Sequence, residues 1–414
     1  MKTTIIGGGI IGLCAAYYLT EAGIEVEIID KTDLSDGCSF GNAGMIIPSH
    51  FIPLAAPGVI AKGLKWMFNS KSPFYIKPRL SAELIQWLWK FYKSCSKEKV
   101  NLAAPFMRDF QWMSKKLYQD LAKNPKLDFL YKESGILMLY HSKKAEEEEI
   151  ETAELANELG VEARILSKEA VNELEPGTTV DTLGGVYYPG DAHLYPNRLM
   201  TGLITLLKKR GVRFRDKTQV IGFKYQKDKI EAILTEKNEQ IPVENLVIAG
   251  GAWTAKILKF LGTKMLLQDG KGYSITLKNA AENITIPSVL TEAKVAMTPM
   301  GNDLRIGGTL EISNLSPKIN LSRMKGILEA VPKYYPNLQP EMPSKEAIWH
   351  GFRPCTPDGL PYLGRSKKYK NLVIATGHAM MGLSLGPASG KLVSEIIQHG
   401  STSLDLTLLD PNRF

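Results

Sequence analysis

The chain has little cysteine and little histidine, four Cys and six His in 414 residues. Cys14, Cys38, Cys95 and Cys355 make no C-x-x-C pair and stand at no metal-ligand spacing with histidine. That argues against a zinc ribbon, an iron–sulfur carrier and a disulfide-stapled fold, and it implies a reducing compartment. No run of about 18 apolar residues occurs, which argues against a membrane-spanning helix. Internal repeats and low-complexity linkers are missing too, and no Ser/His/Asp constellation is apparent. No apolar signal region with a small-residue cleavage site precedes the first motif, so the fold reads as starting at residue 2 or 3, in the cytoplasm. What remains is 44% hydrophobic and 23% charged, the composition of a packed globular protein. A chain this long rarely closes around one core, so two domains, or one with large insertions, are expected. The net charge of +8 leaves an anionic partner or a membrane surface open.

Residues 3–30 carry the first positive signal. A short apolar strand, Thr3 to Ile6, runs into Gly7-x-Gly9-x-x-Gly12 and a helix. A break at Gly23 follows, then an alternating strand that ends at Asp30. Gly7 permits the tight turn, Gly9 lets backbone approach a pyrophosphate, and Gly12 lets helix and strand pack closely. The helix N-terminus adds N–H groups and a positive dipole end. Asp30, 18 residues past Gly12, suits the hydroxyls of an adenosine ribose and would repel a 2′-phosphate. The pattern predicts a dinucleotide, either FAD or NAD.

Three further segments bear on that choice. Ser39-Phe40-Gly41-Asn42-Ala43-Gly44-Met45-Ile46 offers small residues and amides after the second strand. Asn245 to Trp253 is a buried-looking strand ending in glycines. Near the C-terminus, Asn371 to His378 makes another strand-to-glycine turn, followed by Gly382 to Gly390 and a helix through Leu392, Ile396 and Ile397. Two glycine turns some 370 residues apart suggest one long cofactor gripped from both ends of the chain.

Taken together, the N-terminal fingerprint, SFGNAGMI, LVIAGGAW, GFRPCTPDGLPYLG and ATGHAMMGLSLGPASGK, in this order, resemble the FAD-dependent D-amino acid oxidase superfamily. The likeness is strongest to the small subunit of bacterial D-amino acid dehydrogenases. It spans nearly the whole chain, including LSKEAVNELEP at 166–176 and the G-D-A-x-x-x-P-x-R-L stretch at 190–199. Glycine and sarcosine oxidases share the skeleton.

The resemblance implies that Gly7, Gly9, Ile11, Gly12, Asp30 and Lys31 hold the ADP part. It implies that Ser39, Asn42, Ala43, Gly44 and Met45 line pyrophosphate and ring, and that Val220 meets adenine through its backbone. Gly250 and Trp253 would flank the cofactor; Gly377, Gly382, Leu383 and Ser384 would cover ribityl and isoalloxazine. Cys355 is out of register with the cysteine that holds flavin in monomeric sarcosine oxidases, so FAD is expected to be non-covalent. On the substrate side, Arg353 in His350-Gly351-Phe352-Arg353-Pro354 would pair its guanidinium fork with a substrate carboxylate. Tyr273 would hydrogen-bond the same carboxylate or else serve the core. His50 would look into the cavity beside the ring or else be structural.

The implied reaction removes hydride from the Cα of a D-amino acid, or of a proline-type D-imino acid, to flavin N5. Electrons would pass to a quinone or another non-oxygen acceptor. The alternatives are an oxygen-using glycine- or sarcosine-type oxidase, and a flavin-binding subunit without turnover.

The expected fold is α/β, a Rossmann-like FAD-binding domain at 1–50, 185–265 and 350–414. A discontinuous substrate domain at 51–184 and 266–349 would be built on an antiparallel sheet. Strands are expected at 135–140, 212–220, 273–277 and 304–308, and a solvated helix at 146–159. Residues 59–100 hold nine Lys/Arg against two Glu and three of the six tryptophans. A helix from Ser81 would align Leu84, Ile85, Leu88, Phe91 and Tyr92 on one face. Such a stretch fits an interfacial segment on anionic lipid of the inner membrane, or a domain helix with its aromatics packed inside. No nucleic-acid-binding module is present.

Overall fold

The computed structural model describes residues 1–61, 63 and 72–414. A six-stranded sheet has the order Tyr362–Arg365, Leu372–Thr376, Asn245–Ile248, Lys2–Ile6, Glu25–Ile29, Arg213–Arg215. Its pairings are parallel except the first, which is antiparallel. Strands such as Leu372–Thr376 are apolar and buried along their whole length. A parallel sheet covered on both faces requires that pattern. The Ile10–Glu21 helix returns the chain and packs on the Gly386–His399 helix. A Cβ on Gly390 would fall 2.4 Å from the Cys14 backbone, so only glycine allows that crossing.

A second, nine-stranded sheet has the order Trp349–Cys355, Gln268–Leu277, Asp303–Ile312, Val295–Met300, Ser288–Leu290, Ile136–Tyr140, Gly184–Tyr188, Arg164–Ser167. Phe74–Ile76 adds to it in parallel beside Asp303–Ile312. Apart from that pairing and Ser288–Leu290 with Ile136–Tyr140, the neighbours are antiparallel. The Leu321–Tyr334 helix buries Met324, Ile327 and Val331 in a core shared with Leu137, Ile275 and Ile306 of this sheet. The fold is therefore α/β, a Rossmann-like parallel sheet joined to a mainly antiparallel one. Two strands that the motif order groups with the cofactor side, Gly184–Tyr188 and Trp349–Cys355, run in the antiparallel sheet.

The run 212–220 is not one strand. Arg213–Arg215 ends in the parallel sheet, and Val220 opens a three-stranded antiparallel sheet with Lys229–Thr235 and Gln240–Pro242. Between them Lys217 takes φ +45°. There the Lys217 N–H donates to Thr32 O and the Thr218 N–H to Asp30 O. This turn delivers Val220 to the end of the strand that carries Asp30.

The helix after Ser81 spans Ala82–Ser94, with Ser81 Oγ accepting from Leu84 N at 3.3 Å. Its inward face differs from the expected one. Leu84 and Trp87 are buried, and Leu88 and Phe91 pack with Trp87, Leu310 and Cys355. Ile85, Trp89 and Tyr92 are exposed. Leu84, Leu88 and Phe91 stay in the stripe, so taking in Trp87 in place of Ile85 and Tyr92 rotates its centre by only roughly 50°, and Trp87 Nε1 fixes it by donating to Cys355 O at 2.9 Å. Lys62, Lys65, Trp66, Phe68 and Lys71 of the basic stretch lie outside the described residues. Among the described residues no helix is long and apolar enough to cross a membrane.

Candidate active site

A cavity of about 1400 Å³ is lined by both sheets. At one end lies the turn after Lys2–Ile6. Gly7 has φ +113°, and a Cβ there would sit 2.4 Å from Ala249 O, so the ends of the neighbouring Lys2–Ile6 and Asn245–Ile248 strands touch through glycine. Gly9 caps the Ile10–Glu21 helix without a side-chain cap or an acid in the first turn. A Cβ on Gly9 would meet only Ser39 Oγ, at 3.6 Å. That leaves open space over a helix N-terminus, where an anion is stabilised. Asp30 accepts from Gly8 N at 2.7 Å and from Thr32 N and Oγ1 at 2.8 Å. Lys31 Nζ lies 3.8 Å from the centre of the Trp253 ring, and burial lowers its pKa.

The wall between the two ends is the 39–46 segment, clamped by the antiparallel sheet. Buried Arg305 donates from Nη1 to Phe40 O and Asn42 O, both at 2.8 Å, and from Nη2 to Asn197 Oδ1 at 2.9 Å. Ser274 Oγ donates to Gly41 O at 2.9 Å. Gly41 must be glycine because Trp349 lies over it, 2.0 Å from where its Cβ would be.

At the other end stands Arg353. It pairs in register with Gly270, and its guanidinium lies flat on Gly272. A Cβ there would be 2.3–2.5 Å from Nη1, Nη2 and Cζ. Nη1 donates to Thr309 O. That carbonyl is aimed by a bulge, since Lys271 pairs with Glu311 but Tyr273 with Gly308. The bulge leaves Thr309 at φ +64°, an uncommon state for a β-branched residue that marks strain held by its surroundings. No carboxylate among the described residues forms an ion pair with Arg353. Burial lowers its pKa from the usual guanidinium value, while the Cys355 and Cys38 thiols raise it.

His50 also lines the cavity, with Nδ1 3.1 Å from Ser49 Oγ. Ser49 in turn bonds to Asp191, which is completely buried. Burial and Lys294 push His50 down to about 4.

Of the residues picked from sequence, Gly7, Gly9, Ile11, Asp30, Lys31, Ser39, Asn42, Ala43, Met45, Val220, Gly250, Trp253, Gly382, Leu383, His50, Tyr273 and Arg353 border this cavity. Four do not. Gly12 packs against Gly7 O, 1.9 Å from where its Cβ would be, and Gly44 (φ +80°) packs against Leu194 O. Gly377 (φ +82°) lies against Thr356. Ser384 turns inward, its Oγ accepting from Ile47 N at 3.0 Å and donating to Gln111 Oε1 at 2.7 Å. These four pack within the walls behind the lining residues. Tyr273 touches the cavity, but its hydroxyl is committed elsewhere. It donates to Glu311 Oε2 at 3.1 Å and accepts from Asn320 N at 3.2 Å. Asp191, Ser49, Gly272 and Thr309 were not read from sequence. The serine beside His50 and the aspartate of the 190–199 stretch were the available hints.

The residues present fit a flavin dinucleotide. Glycine leaves backbone bare at a helix N-terminus, a carboxylate ends the second strand, and the space exceeds what a small ligand needs. The chain matches the family model described as FAD dependent oxidoreductase over residues 2–396; it belongs to that family, and FAD is its cofactor. A D-amino acid dehydrogenase of Helicobacter pylori is 34% identical over 413 residues, covering 99% of this chain and 97% of its own. Another, of Granulibacter bethesdensis, is 30% identical over 416 residues, covering 98% and 97%. Among solved structures, glycine oxidase from Geobacillus kaustophilus superposes with a TM-score of 0.79 at 22% identity, covering 100% of this chain and 98% of that one.

Proposed function

We propose that this chain is a dehydrogenase of D-amino acids, proline-type D-imino acids among them, passing electrons to a quinone or another non-oxygen acceptor. The observation that carries the reading is Arg353, a cation in the cavity wall with no carboxylate partner among the described residues. A charge held away from bulk water without a partner is costly, and a bidentate carboxylate would relieve it. The names of the relatives favour the D-amino acid over other carboxylates.

Bound through its carboxylate, the substrate has its Cα held at a fixed distance from the wall formed by 39–46. FAD, when bound, supplies the group that accepts the hydride from Cα. The protein's own part is to orient the substrate and exclude water. The apolar lining from Ile47, Ile52, Leu54 and Leu310 serves the second task. The imino acid released hydrolyses to a 2-oxo acid, or persists as a cyclic imine where the substrate is proline-like. FAD is held without a covalent bond in this reading. Burial pushes the Cys355 thiol up to about 12, and a thiol in that state is a poor nucleophile.

The test is an anaerobic panel of D- and L-amino acids with the purified holoenzyme, D-proline and hydroxy-D-proline included, read by flavin bleaching. D-isomers should bleach it and L-isomers should not, and re-oxidation in air should be slow against a soluble quinone. A panel that leaves the flavin oxidised refutes the reading. Peroxide formed at turnover speed replaces it with an oxygen-using oxidase. Arg353→Met should keep its FAD and lose roughly a hundredfold or more in kcat/KM, the usual cost of removing one partner of a desolvated charge pair.

A further inference from the structure

Asp191 is an expensive residue in its place. Its side chain is fully buried, and among the described residues its only hydrogen-bond partners are both on Ser49. The Ser49 N–H donates to Oδ1 at 3.0 Å and Ser49 Oγ donates to Oδ2. No ion pair reaches it among the described residues. A carboxylate buried with so little support costs stability that an apolar residue would not.

The geometry next to it is deliberate. Met45–Ile46 and Ala192–His193 form a two-stranded ribbon in which Ile46 pairs with Ala192. Extending that register by one residue on each chain brings the 47–50 turn beside Asp191. The turn is closed by the His50 N–H donating to Ile47 O at 3.0 Å, and Ser384 Oγ pins the Ile47 N–H. A chain of three side chains results, running from a buried acid through a hydroxyl to an imidazole at the cavity wall.

That chain sets a tautomer. With Asp191 ionised, the Ser49 hydroxyl proton points at Oδ2, so Ser49 Oγ can only accept from His50. His50 Nδ1 must then carry the hydrogen, 3.1 Å from Ser49 Oγ, and Nε2 keeps its lone pair. No protein donor among the described residues meets Nε2. We propose that His50 Nε2 is the acceptor for the substrate's amino group, and that Ser49 and Asp191 are positioning residues that hold it in that tautomer. The inference rests on the amino acid reading above and assigns the group that recognises the second functional group of the substrate.

The chemistry balances simply. His50 Nε2 accepts a hydrogen bond from an N–H of the substrate nitrogen and takes no proton from it, and a substrate bound as the neutral amine keeps the electron pair that oxidation at Cα requires. The imidazole is neutral across the neutral range and acts as a hydrogen-bond acceptor rather than as a base, because burial and the facing Lys294 keep its pKa near 4. On the other side, burial raises Asp191 to about 7, while the Ser49 bonds and Lys115 lower it. Lys115 is itself drawn toward Glu133 at 3.6 Å. Tyr188, beside Asp191, stays neutral, its pKa raised by burial. Protonated Asp191 would donate to Ser49 Oγ, turn the serine proton toward Nδ1 and leave His50 with Nε2–H, a donor facing the substrate's N–H.

Three holoenzyme variants test this. His50→Phe should weaken amino acid binding, as KM and as flavin perturbation under anaerobic conditions, by roughly ten- to a hundredfold, the cost of one buried donor left without its acceptor. A monocarboxylate without an amine, acetate or a 2-oxo acid, should bind His50→Phe as it binds the native protein. His50→Gln, which keeps an acceptor, should recover much of the loss. Asp191→Asn should retain FAD and raise KM far more than it lowers kcat, and the rise in amino acid affinity around pH 7 should vanish. Nitrogen-15 shifts of the labelled histidines should show His50 as the Nδ1–H tautomer above pH 7 and as Nε2–H in Asp191→Asn. Equal weakening of amino acids and amine-free carboxylates, or an unchanged His50 tautomer in Asp191→Asn, overturns the proposal. A native enzyme that no amino acid bleaches overturns the underlying function instead, and the native control reports that separately.

Discussion

The two ends of the cavity are built in opposite ways. The nucleotide end is backbone. Gly7, Gly9 and Gly12 remove side chains so that one helix N-terminus and one strand end can meet a ligand, and the spacing between them is local. The substrate end is side chain. Arg353, Gly272, Thr309 and the Asp191–Ser49–His50 chain come from segments between 49 and 353, and only sheet register brings them together. Recognition of a shape common to every dinucleotide needs little more than bare amides. Recognition of a particular small molecule needs groups at set angles, and those are held by strain and by buried polar contacts.

That contrast predicts how each end fails. Gly12→Val should be the most damaging change at the nucleotide end. Its Cβ would overlap Gly7 O at 1.9 Å, and no flexible side chain is available to move. The variant should purify colourless or insoluble, with essentially all FAD absorbance lost. A yellow, soluble Gly12→Val would mean that the turn tolerates far more than its geometry allows, and the contrast would collapse.

Gly272→Ala should separate the two ends. The atoms nearest the added methyl all belong to Arg353, whose guanidinium has to lift off the strand and lose its bond to Thr309 O. A misplacement of about an ångström costs on the order of a hundredfold in a positioned site. FAD content should stay native while kcat/KM falls by roughly ten- to a hundredfold, mostly in KM. Loss of FAD in step with activity would show the two ends to be one cooperative unit.

The same contrast explains how much was legible beforehand. The parallel strands, the glycine turns and Asp30 could be placed from residues 3–30 because each requirement sits within a few positions of the next. Arg353 was picked because Phe352-Arg353-Pro354 resembles the family context in which an arginine pairs with a substrate carboxylate, not from any local spacing. Val220 was placed at the cavity although its strand was drawn wrongly. The break at Lys217 depends on bonds to Thr32 O and Asp30 O, partners some 185 residues away that no local pattern announces. Asp191 escaped for the same reason. Its meaning lies in a ribbon between residues 45–46 and 192–193. Ile85 and Trp87 exchanged roles because helical period alone does not say which apolar stripe a cavity and Cys355 O will claim.

Tyr273 offers the finest test. The resemblance left its hydroxyl either on the substrate carboxylate or in the core; in the structure it bonds to Glu311, within a buried group where Lys271 Nζ and Arg323 Nε each lie 3.6 Å from the same carboxylate. Burial raises the tyrosine's pKa, and the Asn320 N–H and Arg323 oppose that rise, so the phenol is neutral and free to donate to Glu311. Removing it in Tyr273→Phe leaves Glu311 with two cations still near and Asn320 N without its acceptor. The cost should be about 1–3 kcal/mol of stability, a drop of roughly 1–4 °C in Tm for a chain of this size, read by thermal unfolding of the holoenzyme. If the hydroxyl serves the fold, kcat/KM should stay within about threefold of native, and the amine-free carboxylates should bind unchanged. A fall of more than about tenfold with an unchanged Tm would return Tyr273 to the substrate. In that case Glu311 would release the hydroxyl when ligand enters, and the side-chain end of the cavity would be less rigid than its hydrogen bonds indicate.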